Sequence, residues 1–283
     1  MSDIGIAQYV ERNEPNLAGR VSYMPKNNLY LEDKMYQGNM SEWDFNNIIS
    51  NVQSSMGGIS QMTGRQLVIN GEWTNSEVNA YATLQGNTRL VVIYGGLARR
   101  QEVTPDGLAM VICHEVGHHL GGFPFVESWA SNEGNSDYYT TLSCARVLWG
   151  NQPEENAQSA LYIPQYPKSL CDRAWGTENE RNLCYRTMLA GKSLGDLLAT
   201  LGNGYVQFET PDRTVVRQTV HTHPQAQCRL DTYMSGSLCN SRWNHGKIPR
   251  TESEIYQSSC KEIPYSMGAR PRCWFAPRMN IHY

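Results

Sequence analysis

The stretch Cys113-His114-Glu115-Val116-Gly117-His118-His119-Leu120-Gly121-Gly122 holds the residues best suited to chemistry. Residues four apart lie on one face of a helix, so His114 and His118 can both aim a ring nitrogen at one ion. Glu115 sits about 100° round the helix from His114. From there it reaches a water beside the ion without ligating the ion itself. Two histidines and one further protein ligand around zinc leave a position open for that water. The metal lowers the water's pKa to about 7, and a carboxylate base removes its proton. The chemistry encoded is metal-assisted hydrolysis.

The segment Asn132-Glu133-Gly134-Asn135-Ser136-Asp137 supplies what is missing. Glu133 and Asp137 are four apart on what reads as a second helix, with Trp129, Tyr138, Leu142, Ala145 and Leu148 as apolar positions and Gly150 as its stop. A glutamate beside two histidines is a hydrolytic zinc set. Asp137, one turn beyond Glu133, is placed to accept the free ring N–H of His114, since a ligating histidine almost always has such a partner. Glu127 competes with Glu133, but no acid stands one turn behind it. His119 reads as a surface residue, or one behind the ligands, rather than as a fourth ligand.

These residues need rigid elements to hold them. Thr104 is an N-cap, Pro105 a first-turn proline and Asp106 a first-turn acid. Leu108, Val111, Ile112 and Val116 form an apolar face, and Gly121-Gly122 stops the helix. The hydrolytic motif therefore falls inside a helix; the plainer alternative is a helix with incidental histidines. Upstream, Ser41 and Asp44 form a capping-box pattern before Trp43, Ile48, Ile49 and Val52, with Met56-Gly57-Gly58 as the end. Residues 66–70, 78–83 and 89–94 read as strands, with Asn70-Gly71 as a turn and Gly95-Gly96 as a break. Helical segments are expected near 155–162, 178–190 and 193–201. Residues 1–40 look irregular, and the chain beyond about 240 looks loop-rich. The predicted fold class is α+β: mainly helical, with a small antiparallel-edged sheet before the site helix. We expect one compact unit over 1–283, its core at about 41–236 and a Cys-rich portion at about 225–283.

A net charge of −3 gives no electrostatic case for nucleic acid or an anionic membrane. No apolar run approaches a transmembrane length. The N-terminal Met-Ser-Asp-Ile-Gly-Ile lacks the charged and apolar regions of an export signal, so either there is none or it has been removed. Cysteine usage favours removal. Of 8 cysteines, Cys113 and Cys144 lie on the two site helices and read as buried thiols. Cys171, Cys184, Cys228, Cys239, Cys260 and Cys273 cluster downstream, which suggests disulfides and a periplasmic or secreted location. Pairing in sequence order is the simplest of the many connectivities they allow, and a second metal site is the weaker alternative.

With those motifs in hand, the chain resembles the gluzincin metallopeptidases, whose third ligand is a glutamate on a following helix. Asn132-Glu133-x-x-Ser136-Asp137 is similar to the thermolysin form of that element. Val78-Asn79-Ala80-Tyr81-Ala82, Tyr94-Gly95-Gly96-Leu97 and His223-Pro224 followed by Arg229 resemble the CAAX-prenyl-endopeptidase-like and periplasmic quality-control branch. The resemblance covers roughly 75–235. It implies a zincin-like fold and a zinc-dependent endopeptidase acting on a peptide or protein substrate. It further implies that Asn79 and Ala80 pair with an extended substrate backbone and that His223 or Arg229 stabilises the oxyanion. Asn79 could instead only shape a strand end, His223 start a helix, and Arg229 pair with Asp231 or Asp137. The absence of transmembrane runs, the downstream cysteines and the insertion of about 85 residues between Asp137 and His223 depart from that branch. A latent or inactive zinc-binding interaction protein and an amidase acting on cell-wall peptides are the alternative functions.

Overall fold

The computed structural model describes residues 19–32, 40–202, 204–262 and 266–278. Its sheet has four strands: β1 (Arg20–Ser22), β2 (Gln66–Glu72), β3 (Ala80–Gln85) and β4 (Thr88–Tyr94), in the order β1-β3-β4-β2. β3 lies antiparallel to both β1 and β4, whereas β2 runs parallel to β4. Helix α1 (Glu42–Met62) starts at the Ser41–Asp44 capping box. A single turn, α2 (Gly95–Ala98), follows β4 and leads to the site helix α3 (Pro105–Leu120). Thr104 caps α3 by accepting from the Gly107 N–H.

Next come α4 (Glu133–Tyr139), a π-helical turn at Thr140–Cys144 and α5 (Ala145–Trp149). Then follow α6 (Pro153–Gln158), α7 (Gln165–Ala174), α8 (Glu178–Ala199), α9 (Ala226–Leu238) and α10 (Glu252–Ile255). One hydrophobic core joins the sheet to α1, α3 and α8 through Phe45, Val52, Leu67, Val91, Ile93, Leu108, Ile112, Val116 and Leu197. Thus α3 is packed on all sides, and every residue from Gly107 to Leu120 is buried. Among the described residues, no helix is long and apolar enough to cross a membrane.

Several elements differ from the sequence reading. Helix α1 runs past Gly57-Gly58 to Met62. A mid-helix glycine costs about 1 kcal/mol, less than burying Met56 and packing Ile59 returns. Asn70-Gly71 is strand, not turn: a Cβ on Gly71 would lie 2.5 Å from both Phe45 and Ile49, so glycine is there to let α1 sit on the sheet. Helix α8 is continuous where two helices are expected, helix α7 lies between the named segments of this mostly helical stretch, and the expected 155–162 helix is α6 followed by a 3-10 turn.

The cysteines form Cys113–Cys144, Cys171–Cys184, Cys228–Cys273 and Cys239–Cys260. Cys113 and Cys144 are therefore not thiols, and sequential pairing holds only for Cys171–Cys184. Cys228 lies in α9 and Cys239 caps its end. A helix rise puts them about 16 Å apart, far beyond disulfide reach.

Candidate metal centre

Helix α3 presents His114 and His118 toward the N-terminal turn of α4, which carries Glu133. The close crossing depends on Gly117, where a Cβ would lie 3.0 Å from the Ser136 carbonyl oxygen. His114 Nε2 lies 3.2 Å from Glu133 Oε2, and His118 Nε2 lies 3.5 Å from Glu133 Oε1. All three side chains are buried, and ligand atoms from each lie within 4.8 Å of one another. Glu127, the rival for the third position, is exposed and outside this cluster.

The other ring nitrogens fix the tautomers. His114 Nδ1 is 2.7 Å from Asp137 Oδ1, and His118 Nδ1 is 2.8 Å from the Ser131 carbonyl oxygen. With both Nδ1 atoms donating, each Nε2 turns its lone pair inward. His114 Nε2, His118 Nε2 and Glu133 Oε2 have no hydrogen-bond partner despite complete burial. Converging buried acceptors of this kind require a proton or a cation between them. The donor set therefore fits a divalent metal ion.

Charge around the two histidines is unequal. Burial alone would push His114 down, but the Asp137 carboxylate overrides it and lifts His114 to about 9. Burial dominates at His118, which falls to about 4 although Glu133 opposes the shift. Glu133 resists its own burial because His223 and His118 hold it far below the usual carboxylate range. Glu115 is buried with both oxygens unpartnered, and burial pushes its pKa well above normal. A desolvated carboxylate without donors is a strong base.

Arg229, on α9, is fully buried and grips Asp137 through Nε (2.7 Å to Oδ2) and Nη2 (2.8 Å to Oδ1). Tyr233, one turn on, donates to Asp137 Oδ1 at 2.6 Å. No local motif marks Tyr233, although its i+4 relation to Arg229 places it on the same helix face. His223 Nε2 lies 3.6 Å from Glu133 Oε2 and 2.8 Å from the Ser22 carbonyl oxygen. Arg229 Nη1 donates to the Tyr23 carbonyl at 2.7 Å.

Asn79 and Ala80 lie where the chain enters β3, and their edge is already paired. The Tyr23 N–H donates to the Ala80 carbonyl at 3.0 Å, and the Met24 N–H donates to Asn79 Oδ1 at 3.0 Å. Nothing in the residue types of 20–24 announced this long-range pairing.

His119 is not a surface residue. It is buried, stacked on Trp129 at 4.7 Å between centroids, and burial lowers it to about 3. It lines a separate cleft with Arg65, Arg89 and Arg250 that contains none of the converging ligands. Asp212, Cys228 and Cys273 also cluster, but the two cysteines are spent in a disulfide.

Two histidines from His-Glu-x-x-His, a glutamate from the following helix and a buried carboxylate beside them define a gluzincin-type zinc-dependent endopeptidase, with Glu115 as the base. The chain belongs to peptidase family M48, whose profile matches residues 42–233. No curated protein and no solved structure matches the chain.

Proposed function

We propose that the ion held by His114 Nε2, His118 Nε2 and Glu133 is zinc, and that the enzyme cleaves extended polypeptides laid along β3. The observation that carries this reading is the convergence of unpartnered buried acceptors beside an unpartnered buried Glu115. Bound there, zinc supplies Lewis acidity, polarising a carbonyl and lowering the pKa of a water. Glu115 accepts a proton from that water and delivers it to the departing amide nitrogen. Asp137 orients His114 and acts as its hydrogen-bond acceptor. His223 donates from Nε2 to the substrate carbonyl oxygen as negative charge builds there. Arg229 locks Asp137 and binds the next substrate carbonyl. Asn79 and Ala80 hold the substrate backbone as an added strand. Support for the last three roles comes from placement: His223 and Arg229 lie 3.6 Å and 3.9 Å from Glu133 Oε2, and Asn79 and Ala80 stand at the start of β3.

Within family M48 we place the chain in the CAAX-prenyl-endopeptidase-like and periplasmic quality-control branch, on the segments around Asn79, Gly95 and His223. Disulfides at all 8 cysteines favour an oxidising compartment, periplasmic or extracellular. We read the Cys-rich portion as part of the same unit, because Cys228–Cys273 fastens it to α9 and the Trp274 indole packs against Gly134 in α4. The test is incubation of the zinc-loaded chain with a mixed peptide library, read by mass spectrometry, beside Glu115→Gln and a chelated control. Cleavage is expected only in the loaded wild type; equal cleavage in Glu115→Gln contradicts the assignment.

A further inference from the structure

Residues 20–24 of the chain lie in the cleft as an incoming polypeptide would. Arg20–Ser22 pair antiparallel with Tyr81–Thr83 of β3. Beyond them, each backbone polar group from the Ser22 carbonyl to the Met24 carbonyl meets a group to which the proposed function gives a substrate-binding role. The Ser22 carbonyl accepts from His223 Nε2 at 2.8 Å. The Tyr23 N–H donates to the Ala80 carbonyl, and the Tyr23 carbonyl accepts from Arg229. Asn79 clamps Met24 from both sides, accepting its N–H at 3.0 Å and donating Nδ2 to its carbonyl at 3.4 Å.

The side chain is enclosed as well. The Tyr23 ring meets the His114 ring edge-on at 5.1 Å, and the Arg229 guanidinium lies 4.6 Å over its face. Its hydroxyl lies 3.3 Å from that of Tyr233, and the residue is 0% exposed. His223 Nε2 links the Ser22 carbonyl to the metal cluster, being also 3.6 Å from Glu133 Oε2. The carbonyl presented to the reacting groups is therefore that of Ser22, and the aromatic ring just after it fills the pocket beside His114.

We propose that this segment is the enzyme's own substrate and that the chain cuts itself between Ser22 and Tyr23. The inference rests on the functional reading above. A water oxygen bonds to the Ser22 carbonyl carbon, and the Ser22–Tyr23 C–N bond breaks. Glu115 carries one proton from the water to the Tyr23 nitrogen. The second water proton passes from the new Ser22 carboxyl group to the same amine, so the products are a carboxylate at Ser22 and an ammonium at Tyr23, with water the sole co-reactant. Because the bond is delivered by the same chain, its effective concentration is far above that of any free peptide, so cleavage occurs within one molecule. It detaches the chain up to Ser22 and frees the edge at Tyr81–Thr83.

The test uses the full chain purified without metal, beside Glu115→Gln. Before zinc is added, hydrogen exchange at the Tyr23 and Met24 amides is expected to be slow in both proteins, which reads docking independently of turnover. After zinc is added, intact mass and N-terminal sequencing are expected to show a new terminus at Tyr23. The rate should not depend on chain concentration and should fall at least about 100-fold in Glu115→Gln. The variant should stay whole when mixed with wild type. Fast exchange at both amides, a cut at another bond, or a rate that rises with concentration overturns the proposal. So does an intact Ser22–Tyr23 bond in a protein that cleaves an added peptide library, and in that case the functional reading survives. If neither the chain nor the library is cut, both fall.

Discussion

His114 and His118 lie one turn apart on α3 and serve the same ion site, yet they are held in opposite ways. His114 rests on a buried charged chain: Asp137 from α4, Arg229 and Tyr233 from α9, and Tyr23 from beside β1. His118 rests on the Ser131 backbone carbonyl and the Ser136 hydroxyl, both close in sequence. The first arrangement raises the basicity of the ring and couples it to distant elements. The second lets burial lower it and depends on the loop after α3 and the start of α4. The orientation of His114 is therefore a tertiary property, sensitive to changes far along the chain, whereas that of His118 is nearly local.

Chemistry should separate from both arrangements. Glu115→Gln is expected to keep one bound metal ion per chain while hydrolysis falls by about 10²- to 10⁴-fold, as metal analysis and peptide turnover would show. Breaking the His114 side comes next. Asp137→Ala strands the Arg229 cation in the interior, a change costing about 3–5 kcal/mol, and should weaken zinc binding about 10- to 100-fold. Denaturant melts and zinc titrations measure the two effects. Removing Cys113–Cys144, which ties α3 to the end of the π turn across a separation of 31 residues, should cost about 3–4 kcal/mol. Thermal melts of the Cys113→Ala/Cys144→Ala double variant beside the wild type would reveal it.

The two histidines should also give opposite pH limbs in the chelated chain. His114, raised to about 9 from an ordinary 6.5, contributes stability that is full below about pH 6.5 and is lost as pH rises through 9. His118, lowered to about 4, contributes stability that is full above about pH 6.5 and is lost as pH falls through 4. Melting of His114→Gln should flatten the alkaline limb, and that of His118→Gln the acid limb. The smallest effect is expected of Ser136→Ala. It leaves His118 on the Ser131 carbonyl and should cost about 1 kcal/mol, with turnover changed less than about tenfold.

The same contrast explains what the sequence made legible. Spacings within one helix were readable: His114 with His118, Glu133 with Asp137, the Thr104 cap and the Ser41–Asp44 box. Each rests on a local periodicity that tertiary packing did not override. Glycines were ambiguous, because a stop and a close approach look alike in sequence. Asn70-Gly71 has the residue types of a turn, yet Gly71 admits Phe45 and Ile49 to the sheet. Long-range pairings left no local trace. Tyr23 reaches Ala80 and Arg229 across most of the described chain, and Cys228 bonds Cys273 because α9 separates it from Cys239. The His114 arrangement was thus half visible, through Asp137 and Arg229, while the contribution of residues 20–24 was not.

X-ray absorption on the oxidised chain loaded with zinc tests the central claim most directly. The account predicts one zinc per chain with two imidazole nitrogens, carboxylate oxygen and no sulfur in the coordination sphere. Sulfur scattering, or failure of the oxidised chain to bind zinc, would contradict a site built from His114, His118 and Glu133.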